Sequence, residues 1–353
     1  MPHRFAPLPP LCSGPLHRAL PFPTALAALC ALALLPLRAQ SPSSSSSSSS
    51  SANPAASPAR NPTPEERQAT LRCQVFLDRA LFAPGKIDGL PGEFTTKAAI
   101  AYQKAHQLEP NGLLETLPLP KQSPLCTSYI LREEDRKFLG DSPAKPEEQA
   151  KKKTLPYNSF AEFLCERFHC SAGLLAHLNP EIPLEKLKPG DTLQVPDVEP
   201  FLIEEIPVLT QLPEAPEFRK RKVHVQRKER QLTLWEEDSV VASFPITPGS
   251  EALPTPAGNW RIVAISLLPN FRWDEGVLNH GIRTEQFFML PPGPNNPVGV
   301  AWCALSKSGI GIHGTNQPDT IGRAASHGCM RLANWDAIRF AKRVTAGVPV
   351  FIE

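Results

Sequence analysis

Three stretches of the chain carry hydrophobic patterns that predict packed structure. In residues 63–118 and again in residues 154–197, apolar residues recur three and four positions apart, the spacing of one helical face. A strand is predicted at the end of the second stretch. From residue 221 onward apolar and polar positions alternate as in half-buried strands, and a helix is predicted only after Asn334, which we expect to cap it. The pattern predicts a multidomain protein: a small helical domain, a small α+β domain, and a mostly β domain of residues 221–353 with one late helix.

Polar, proline-rich segments separate these stretches. Residues 40–62 contain a run of serines, and residues 119–153 and 198–220 are rich in proline and charged side chains. Segments of this composition bury too little apolar surface to fold alone. We therefore predict three linkers, and the length of 353 residues leaves room for three domains between them.

The first 39 residues resemble a secretory signal peptide. Basic residues precede an apolar segment at residues 25–35 that is too short to span a bilayer, and a small residue stands before Gln40 at the expected cleavage site. We expect export to the periplasm or cell envelope, with no stable membrane span after cleavage; a retained anchor is the alternative. The net charge of +2 gives no indication of nucleic acid binding, and we predict none.

Export changes how the cysteines are interpreted. Six remain beyond the signal: Cys73, Cys126, Cys165, Cys170, Cys303 and Cys329. In an oxidising compartment, Cys73 with Cys126 and Cys165 with Cys170 are candidate disulfides, and the sequence leaves the pairing open. Cys303 lies in an alternating apolar segment, which predicts a buried core thiol.

The candidate chemistry lies at residues 326–331, Ser-His-Gly-Cys-Met-Arg, and at His313. A thiol that attacks an acyl carbon needs a base for its proton and N–H donors for the oxyanion. His313 ends an alternating strand that would hold its ring, and the carbonyl of Gly314 could fix its tautomer. Gly328 allows the backbone to approach a substrate closely, so the amides of Gly328 and Cys329 are a candidate oxyanion hole.

A metal site is the main alternative to the catalytic interpretation of these residues. His313, His327 and Cys329, with His280 as a fourth ligand, include the residue types that bind zinc. Their spacing matches no common zinc pattern, and the second cysteine that such sites usually have is missing. We therefore predict no metal and no cofactor.

His-Gly-Thr at residues 313–315, followed by the 326–331 motif, resembles the active-site signature of the L,D-transpeptidases with YkuD-type catalytic domains. The resemblance covers residues 221–353 and implies a β-sandwich-like, mostly β domain. It also implies that Cys329 is the nucleophile and His313 its general base. The expected oxyanion and substrate-binding residues are His327, Gly328, Ser326, Gly314 and Arg331. For Arg331, a structural ion pair is the alternative to contact with a substrate carboxylate.

The two smaller domains resemble wall-binding modules. Residues 63–118 carry Ile-Asp-Gly at 87–89 and Tyr-Gln at 102–103, as in the small helical peptidoglycan-binding domain. Residues 154–197 contain Asn-Pro and then Pro-Gly-Asp-x-Leu-x-Val-Pro, which resembles the glycan-binding LysM module. They depart from that family at residues 155–158, where its usual Gly-Asp-Thr-Leu turn is absent. The resemblances imply peptidoglycan stem peptides and glycan strands as partners.

The implied reaction is a two-step acyl transfer in peptidoglycan biosynthesis. Cys329 attacks the carbonyl of the third residue of a tetrapeptide stem, releases the terminal D-alanine and forms a thioester that an amine resolves. A diaminopimelate amine gives a 3-3 cross-link, and a lysine of an envelope protein gives protein anchoring. With water as acceptor the protein would be an L,D-carboxypeptidase. The motif could also belong to a cysteine endopeptidase, or to a cell-wall-binding protein without catalytic activity.

Overall fold

The computed structural model describes residues 62–353 apart from residues 123, 324 and 325 and the side chain of Asn279. The predicted signal at residues 1–39 and nearly all of the predicted linker at residues 40–62 lie outside the described residues. The helices are α1 (Pro64–Arg79), α2 (Glu93–Ala105), α3 (Pro146–Gln149), α4 (Phe160–Arg167), α5 (Ala172–Leu178), α6 (Glu275–His280) and α7 (Asn334–Ala341). The strands are β1 (Cys126–Ile130), β2 (Thr192–Pro196), β3 (Arg221–Gln226), β4 (Gln231–Glu236), β5 (Ser239–Pro245), β6 (Gly258–Leu267), β7 (Phe271–Trp273), β8 (Phe288–Leu290), β9 (Ala301–Leu305), β10 (Gly311–His313), β11 (Met330–Arg331) and β12 (Pro349–Ile352). None of the described helices is long and apolar enough to cross a membrane.

A buried glutamine ties the turn between the first two helices to α1. This helix begins with a capping box, in which the Thr63 hydroxyl accepts from the N–H of Glu66 and the Glu66 carboxylate accepts from the N–H of Thr63. Oε1 of Gln74 accepts from the N–H groups of Asp88 and Gly89 at 3.1 and 2.8 Å. Gly89 has a φ of +71°, a conformation that favours glycine. The Ile-Asp-Gly turn is thus fixed on α1.

The next unit combines α4 and α5 with a two-stranded sheet. Ser159 and Ser171 cap the two helices through their hydroxyls. β2 pairs antiparallel with β1, with Cys126 opposite Pro196. β1 and α3 both lie in residues 119–153, which we predicted as a linker. The structure differs there because the backbone N–H and C=O groups of β1 pair with those of β2.

Eight strands of the C-terminal part form one mixed sheet in the order β11-β10-β9-β6-β12-β3-β4-β5. Alternate side chains of β3 and β4 are buried, in agreement with a period of two. β7 and β8 form a separate hairpin with α6 between them, and α7 packs against β9 and β10. The prediction of a mostly β domain with a late helix is confirmed. The resemblance implied a β-sandwich-like arrangement, and the structure joins these strands in one continuous sheet.

The start of α7 differs from the prediction. Ala333 is the N-cap, and Asn334 is the first residue of the helix, with no capping bond from its side chain. That side chain is fully buried and is hydrogen-bonded to Glu166 of α4 and to the N–H of Val300. The prediction that Asn334 caps the helix was wrong, because its amide points into the protein interior.

Residues 198–220, the third predicted linker, also pack on the rest of the chain. Phe201, Ile203 and Ile206 are buried. Leu209 exchanges two backbone hydrogen bonds with Leu267 of β6, at 2.8 and 3.1 Å. These apolar residues lie among prolines and glutamates. They bury enough apolar surface to hold the segment on the rest of the chain.

All six described cysteines are free thiols. The thiol of Cys73 donates to a backbone carbonyl 3.7 Å away and is not bonded to Cys126. A hydrogen bond between Cys165 and Cys170, together with burial, raises the pKa of Cys170. Neither candidate disulfide is therefore formed. Cys303 is 1% exposed, so the prediction of a buried core thiol is confirmed.

A buried ionic cluster joins three parts of the chain. Asp78 of α1 accepts from two guanidinium nitrogens of Arg339 in α7, at 2.8 and 3.1 Å, and lies 3.1 Å from Nδ1 of His169. Burial opposes ionisation of Asp78, but the charges of Arg339 and His169 more than offset it and hold the pKa of this carboxyl well below its usual range. Helix α1, the α4–α5 unit and helix α7 therefore meet at one buried ion pair.

We expect Asp78→Asn to lower the free energy of unfolding by about 3–5 kcal/mol, since it removes the carboxylate that is hydrogen-bonded to the buried Arg339 guanidinium and leaves only Asp336, 3.8 Å away, beside that charge. Urea unfolding measures the change. The matched control is Glu133→Gln, which removes an exposed ion pair with Arg136 and should leave the free energy of unfolding almost unchanged. Equal effects of the two substitutions would show that the cluster does not stabilise the fold.

Candidate active site

His313 is the last residue of β10, which lies between β9 and β11. It stands opposite Trp302 of β9 in the antiparallel register and opposite Arg331 of β11 in the parallel register. Its ring stacks on that of Trp302, with centroids 5.2 Å apart and planes inclined by 21°. Only 5% of the residue is exposed. The imidazole is thus held on a rigid element, as the sequence predicted for a strand end.

The tautomer of His313 is fixed by the next residue. Nδ1 lies 2.6 Å from the carbonyl oxygen of Gly314. Because a carbonyl oxygen only accepts, this contact assigns the ring proton to Nδ1 and leaves Nε2 with a free electron pair. Burial lowers the pKa of His313 to about 4; the Gly314 carbonyl opposes this shift and the charge of Arg331 adds to it. The ring is therefore neutral at pH 7 and can accept a proton at Nε2.

Cys329 directly precedes β11. Since Ile312 and Met330 are partners in the parallel register, the thiol lies beside the β10 strand that carries His313. Sγ donates to the carbonyl of Gly309 at 3.6 Å. Burial raises the pKa of Cys329 to about 11, although the N–H of Gly311 and the charge of Arg331 both act to lower it.

The two reactive side chains are therefore both neutral in this state. In the described part of the chain, the thiol of Cys329 and the imidazole of His313 hydrogen-bond to backbone carbonyls and not to each other. A neutral thiol and a neutral imidazole need a proton transfer during attack, because no thiolate is formed beforehand.

The loop before the thiol is held by residues 248–250. Gly328 has a φ of +104°, and a Cβ on Gly249 would lie 2.9 Å from its Cα. The N–H of Ser326 donates to Pro248 at 2.9 Å, and its carbonyl accepts from the N–H of Ser250 at 2.8 Å. Only glycine combines this φ with so close an approach.

The same loop leaves backbone donors available beside the thiol. The hydroxyl of Ser326 donates to the carbonyl of Cys329. Outside the strand pairing, no acceptor among the described residues takes the N–H of Gly328 or of Cys329. Two unused amides next to a nucleophile are the arrangement that an oxyanion hole requires.

Arg331 lines a cavity of about 260 Å³ beside the His313 turn. The other polar and aromatic walls are Gln149 of α3, Trp273 of β7, Thr315, Asn316 and Gln317. No carboxylate lines the cavity, and the guanidinium has no ion pair or hydrogen bond within the described ranges. Burial lowers the pKa of Arg331, which nevertheless stays charged at neutral pH. An unpaired cation in this wall suits an anionic group of a ligand.

The structure brings most of the predicted site residues together. Besides His313 and Cys329, they are Ser326, Gly328, Gly314 and Arg331. His327 is exposed on the loop between Ser326 and Gly328. His280, considered as a metal ligand, is exposed on α6, and no group of three or more His, Cys, Asp or Glu in the described residues could hold a metal ion.

Four residues near the site had no recognised signal in the sequence. Trp302 lies in an apolar stretch and Trp273 between Arg272 and Asp274, and nothing in their spacing relates them to His313 or Arg331. Asn334 was interpreted as a helix cap, and Glu166 has the appearance of an ordinary surface residue of a short helix. In the structure Asn334 is buried against Gly314, next to His313, and Glu166 is buried against Asn334.

Comparison with known proteins identifies the C-terminal domain. Residues 220–352 match the family model of YkuD, the L,D-transpeptidase catalytic domain. The chain is 34% identical over 131 residues to the YkuD protein of Bacillus licheniformis, to which an L,D-transpeptidase activity is ascribed; the match covers 37% of this chain and 64% of that protein. The Bacillus subtilis YkuD protein is 34% identical over 121 residues, which are 34% of this chain and 58% of the relative.

The family match lies in the C-terminal part of the chain, and the two Bacillus proteins are described as L,D-transpeptidases. The chain spans less than two thirds of the length of the two Bacillus relatives. An L,D-transpeptidase structure from Mycobacterium smegmatis aligns with 38% of this chain and 58% of its own, at 19% identity and a TM-score of 0.32.

The rate at which iodoacetamide alkylates Cys329 should rise about tenfold per pH unit from about pH 7 to about pH 10. Burial keeps the thiol pKa near 11, so the reactive thiolate fraction increases with pH throughout this interval. Mass spectrometry of the Cys329 peptide gives the rate, and Cys329→Ala is the control for the five other thiols. A rate that is already constant from about pH 6 would instead indicate a thiolate–imidazolium pair.

Proposed function

We propose that the chain is a peptidoglycan L,D-transpeptidase with Cys329 as nucleophile and His313 as general base. The observation that carries this proposal is the neutral His313 ring, whose Nδ1 is hydrogen-bonded to Gly314 and whose strand pairs with β11, directly after Cys329. A base with a free Nε2 next to an uncharged thiol suits an attack in which the proton leaves as the new bond forms. The family match of residues 220–352 supports the same reaction class.

In the first step, Sγ of Cys329 bonds to the carbonyl carbon of the third residue of a tetrapeptide stem, and the thiol proton passes to Nε2 of His313. The N–H groups of Gly328 and Cys329 stabilise the oxyanion. When the C–N bond breaks, the proton on His313 passes to the departing amine of D-alanine, and a thioester remains. In the second step an acceptor amine attacks the thioester, His313 takes its proton, and the proton returns to the released thiolate.

The substrate is bound through its negative charge. The unpaired guanidinium of Arg331, in a cavity without carboxylates, holds a carboxylate of the stem peptide. Ser326 fixes the carbonyl of Cys329 and so shapes the loop. We assign His327, which is exposed, to the donor-binding side of this loop.

The N-terminal modules bring the enzyme to its substrate. Residues 63–118 are proposed as a peptidoglycan-binding-like domain and residues 154–197 as a LysM-like domain, preceding the catalytic domain of residues 221–353. Two wall-binding modules raise the local concentration of stem peptides around the active site. This role requires export, in agreement with the signal proposed for residues 1–39. The acceptor is an amine of a second stem, giving a 3-3 cross-link, or of an envelope protein.

Incubation with disaccharide tetrapeptides should yield cross-linked dimers in the wild-type protein and none in Cys329→Ala, as measured by mass spectrometry. Tripeptide products alone would replace this proposal with an L,D-carboxypeptidase. If no product depends on Cys329, the chain is a wall-binding protein without this activity.

Arg331→Gln should raise KM for the tetrapeptide about 10- to 100-fold, since a charge-assisted carboxylate contact contributes about 1.5–3 kcal/mol. Arg331→Lys keeps the charge and should retain part of the affinity. Steady-state kinetics separates the two effects. A fall in kcat with unchanged KM would show that Arg331 orders the loop and does not bind substrate.

A further inference from the structure

A buried carboxyl group outside the catalytic domain lies close to the active site. Glu166 belongs to α4 and is 6% exposed. Its Oε1 accepts from the hydroxyl of Tyr157 at 2.8 Å, and Nδ2 of Asn334 donates to Oε1 and Oε2 at 3.0 and 3.2 Å. No cation pairs with this carboxyl among the residues that the structure describes. A buried carboxyl that has two neutral hydrogen-bond donors and no counter-charge contributes little to the stability of the fold. Such a group is a candidate for a functional role.

Asn334 connects this carboxyl to the turn that carries His313. While its Nδ2 faces Glu166 and the carbonyl of Pro294, its Oδ1 accepts from the N–H of Val300 at 3.2 Å. The same Oδ1 lies directly against Gly299 and Gly314, where a Cβ on either glycine would overlap it. The amide can therefore neither rotate nor move without displacing this turn.

Gly314 is the residue whose carbonyl fixes the tautomer of His313 at 2.6 Å. Its N–H donates to Ala301 at 3.1 Å, and the carbonyl of His313 accepts from Leu332 at 2.7 Å. Both bonds hold the peptide plane between His313 and Gly314, and the Asn334 amide packs against the Cα of Gly314. An unbroken series of contacts thus runs from Glu166 through Asn334 and Gly314 to Nδ1 of His313.

We propose that Glu166, from the LysM-like module, is a positioning residue for His313, acting through Asn334 and the Gly314 carbonyl. This inference rests on the proposed role of His313 as general base. Glu166 touches neither substrate nor thiol, and its effect is to keep the Asn334 amide in one orientation and so keep the base as the Nδ1–H tautomer. The α4–α5 module is then a structural component of the active site as well as a wall-binding module.

Two substitutions separate a positioning role from simple packing. Burial raises the pKa of Glu166 to about 8, so the carboxyl is protonated at neutral pH, and Gln resembles this form in shape and charge. In Glu166→Gln, Oε1 can still accept from Tyr157 and Asn334. Glu166→Ala removes both contacts and leaves the Asn334 amide unrestrained on that side. Leu175→Ala, a buried α5 position, is the control for loss of module stability.

The test uses the full chain below its unfolding temperature, and the readouts are turnover of tetrapeptide stems and ¹⁵N NMR of the His313 ring. Glu166→Ala should lower kcat about tenfold with KM within about twofold, and should populate the Nε2–H tautomer of His313. Glu166→Gln and Leu175→Ala should keep kcat and the Nδ1–H tautomer. Asn334→Ala should give the same loss as Glu166→Ala, and the double variant should lose no more than either alone.

The inference is overturned if Glu166→Ala keeps both kcat and the tautomer, or if Leu175→Ala produces the same changes. The NMR readout does not depend on turnover. If the wild-type protein turns over no stem peptide, the proposed function fails, while the tautomer in Glu166→Ala still decides whether Glu166 positions the ring.

Discussion

The hydrogen bond from Nδ1 of His313 to the carbonyl of Gly314 is the contact on which the rest of the site depends. It places the ring proton on Nδ1, so that Nε2, which faces away from the turn, is left to accept a proton. A carbonyl does this without the negative charge of a carboxylate, so nothing nearby raises the basicity of the ring enough to offset its burial. The base is consequently neutral in the resting state, as is the thiol, and charge develops only as the substrate reacts.

That arrangement requires a rigid surrounding, because a backbone carbonyl holds a ring only where the backbone itself is fixed. Part of this rigid surrounding is the sheet itself. Its strands β9 and β11 flank β10 and place Trp302 and Arg331 on either side of His313. The buried amide of Asn334 in α7 packs against Gly314, and Glu166 of α4, outside the catalytic domain, is hydrogen-bonded to that amide. The Asp78 cluster joins α7 to α1 and to His169, between α4 and α5, at a second point. The N-terminal units are therefore packed on the catalytic domain through buried polar groups, which are costly to leave unpaired.

The sequence predicted the individual elements better than it predicted which elements and side chains pack together. The alternation of β3 and β4 and the 326–331 motif are local signals, and each was recognised. The pairing of β1 with β2 was missed because the two strands are about sixty residues apart and β1 lies in a polar segment. Asn334 was interpreted as a cap because asparagine before a helix is usually one, while its buried partner Glu166 is 168 residues distant. The disulfide candidates rested on compartment and number, which do not determine which thiols come into contact.

Intact-protein mass spectrometry during turnover of a disaccharide tetrapeptide tests the Cys329–His313 mechanism most directly, because it observes the acyl group on the enzyme. We predict one tripeptide-containing acyl group per chain, located on Cys329, sensitive to hydroxylamine as a thioester is, and formed far more slowly in His313→Ala. Acylation of another residue, or equal acylation rates in the wild-type protein and His313→Ala, would contradict this mechanism.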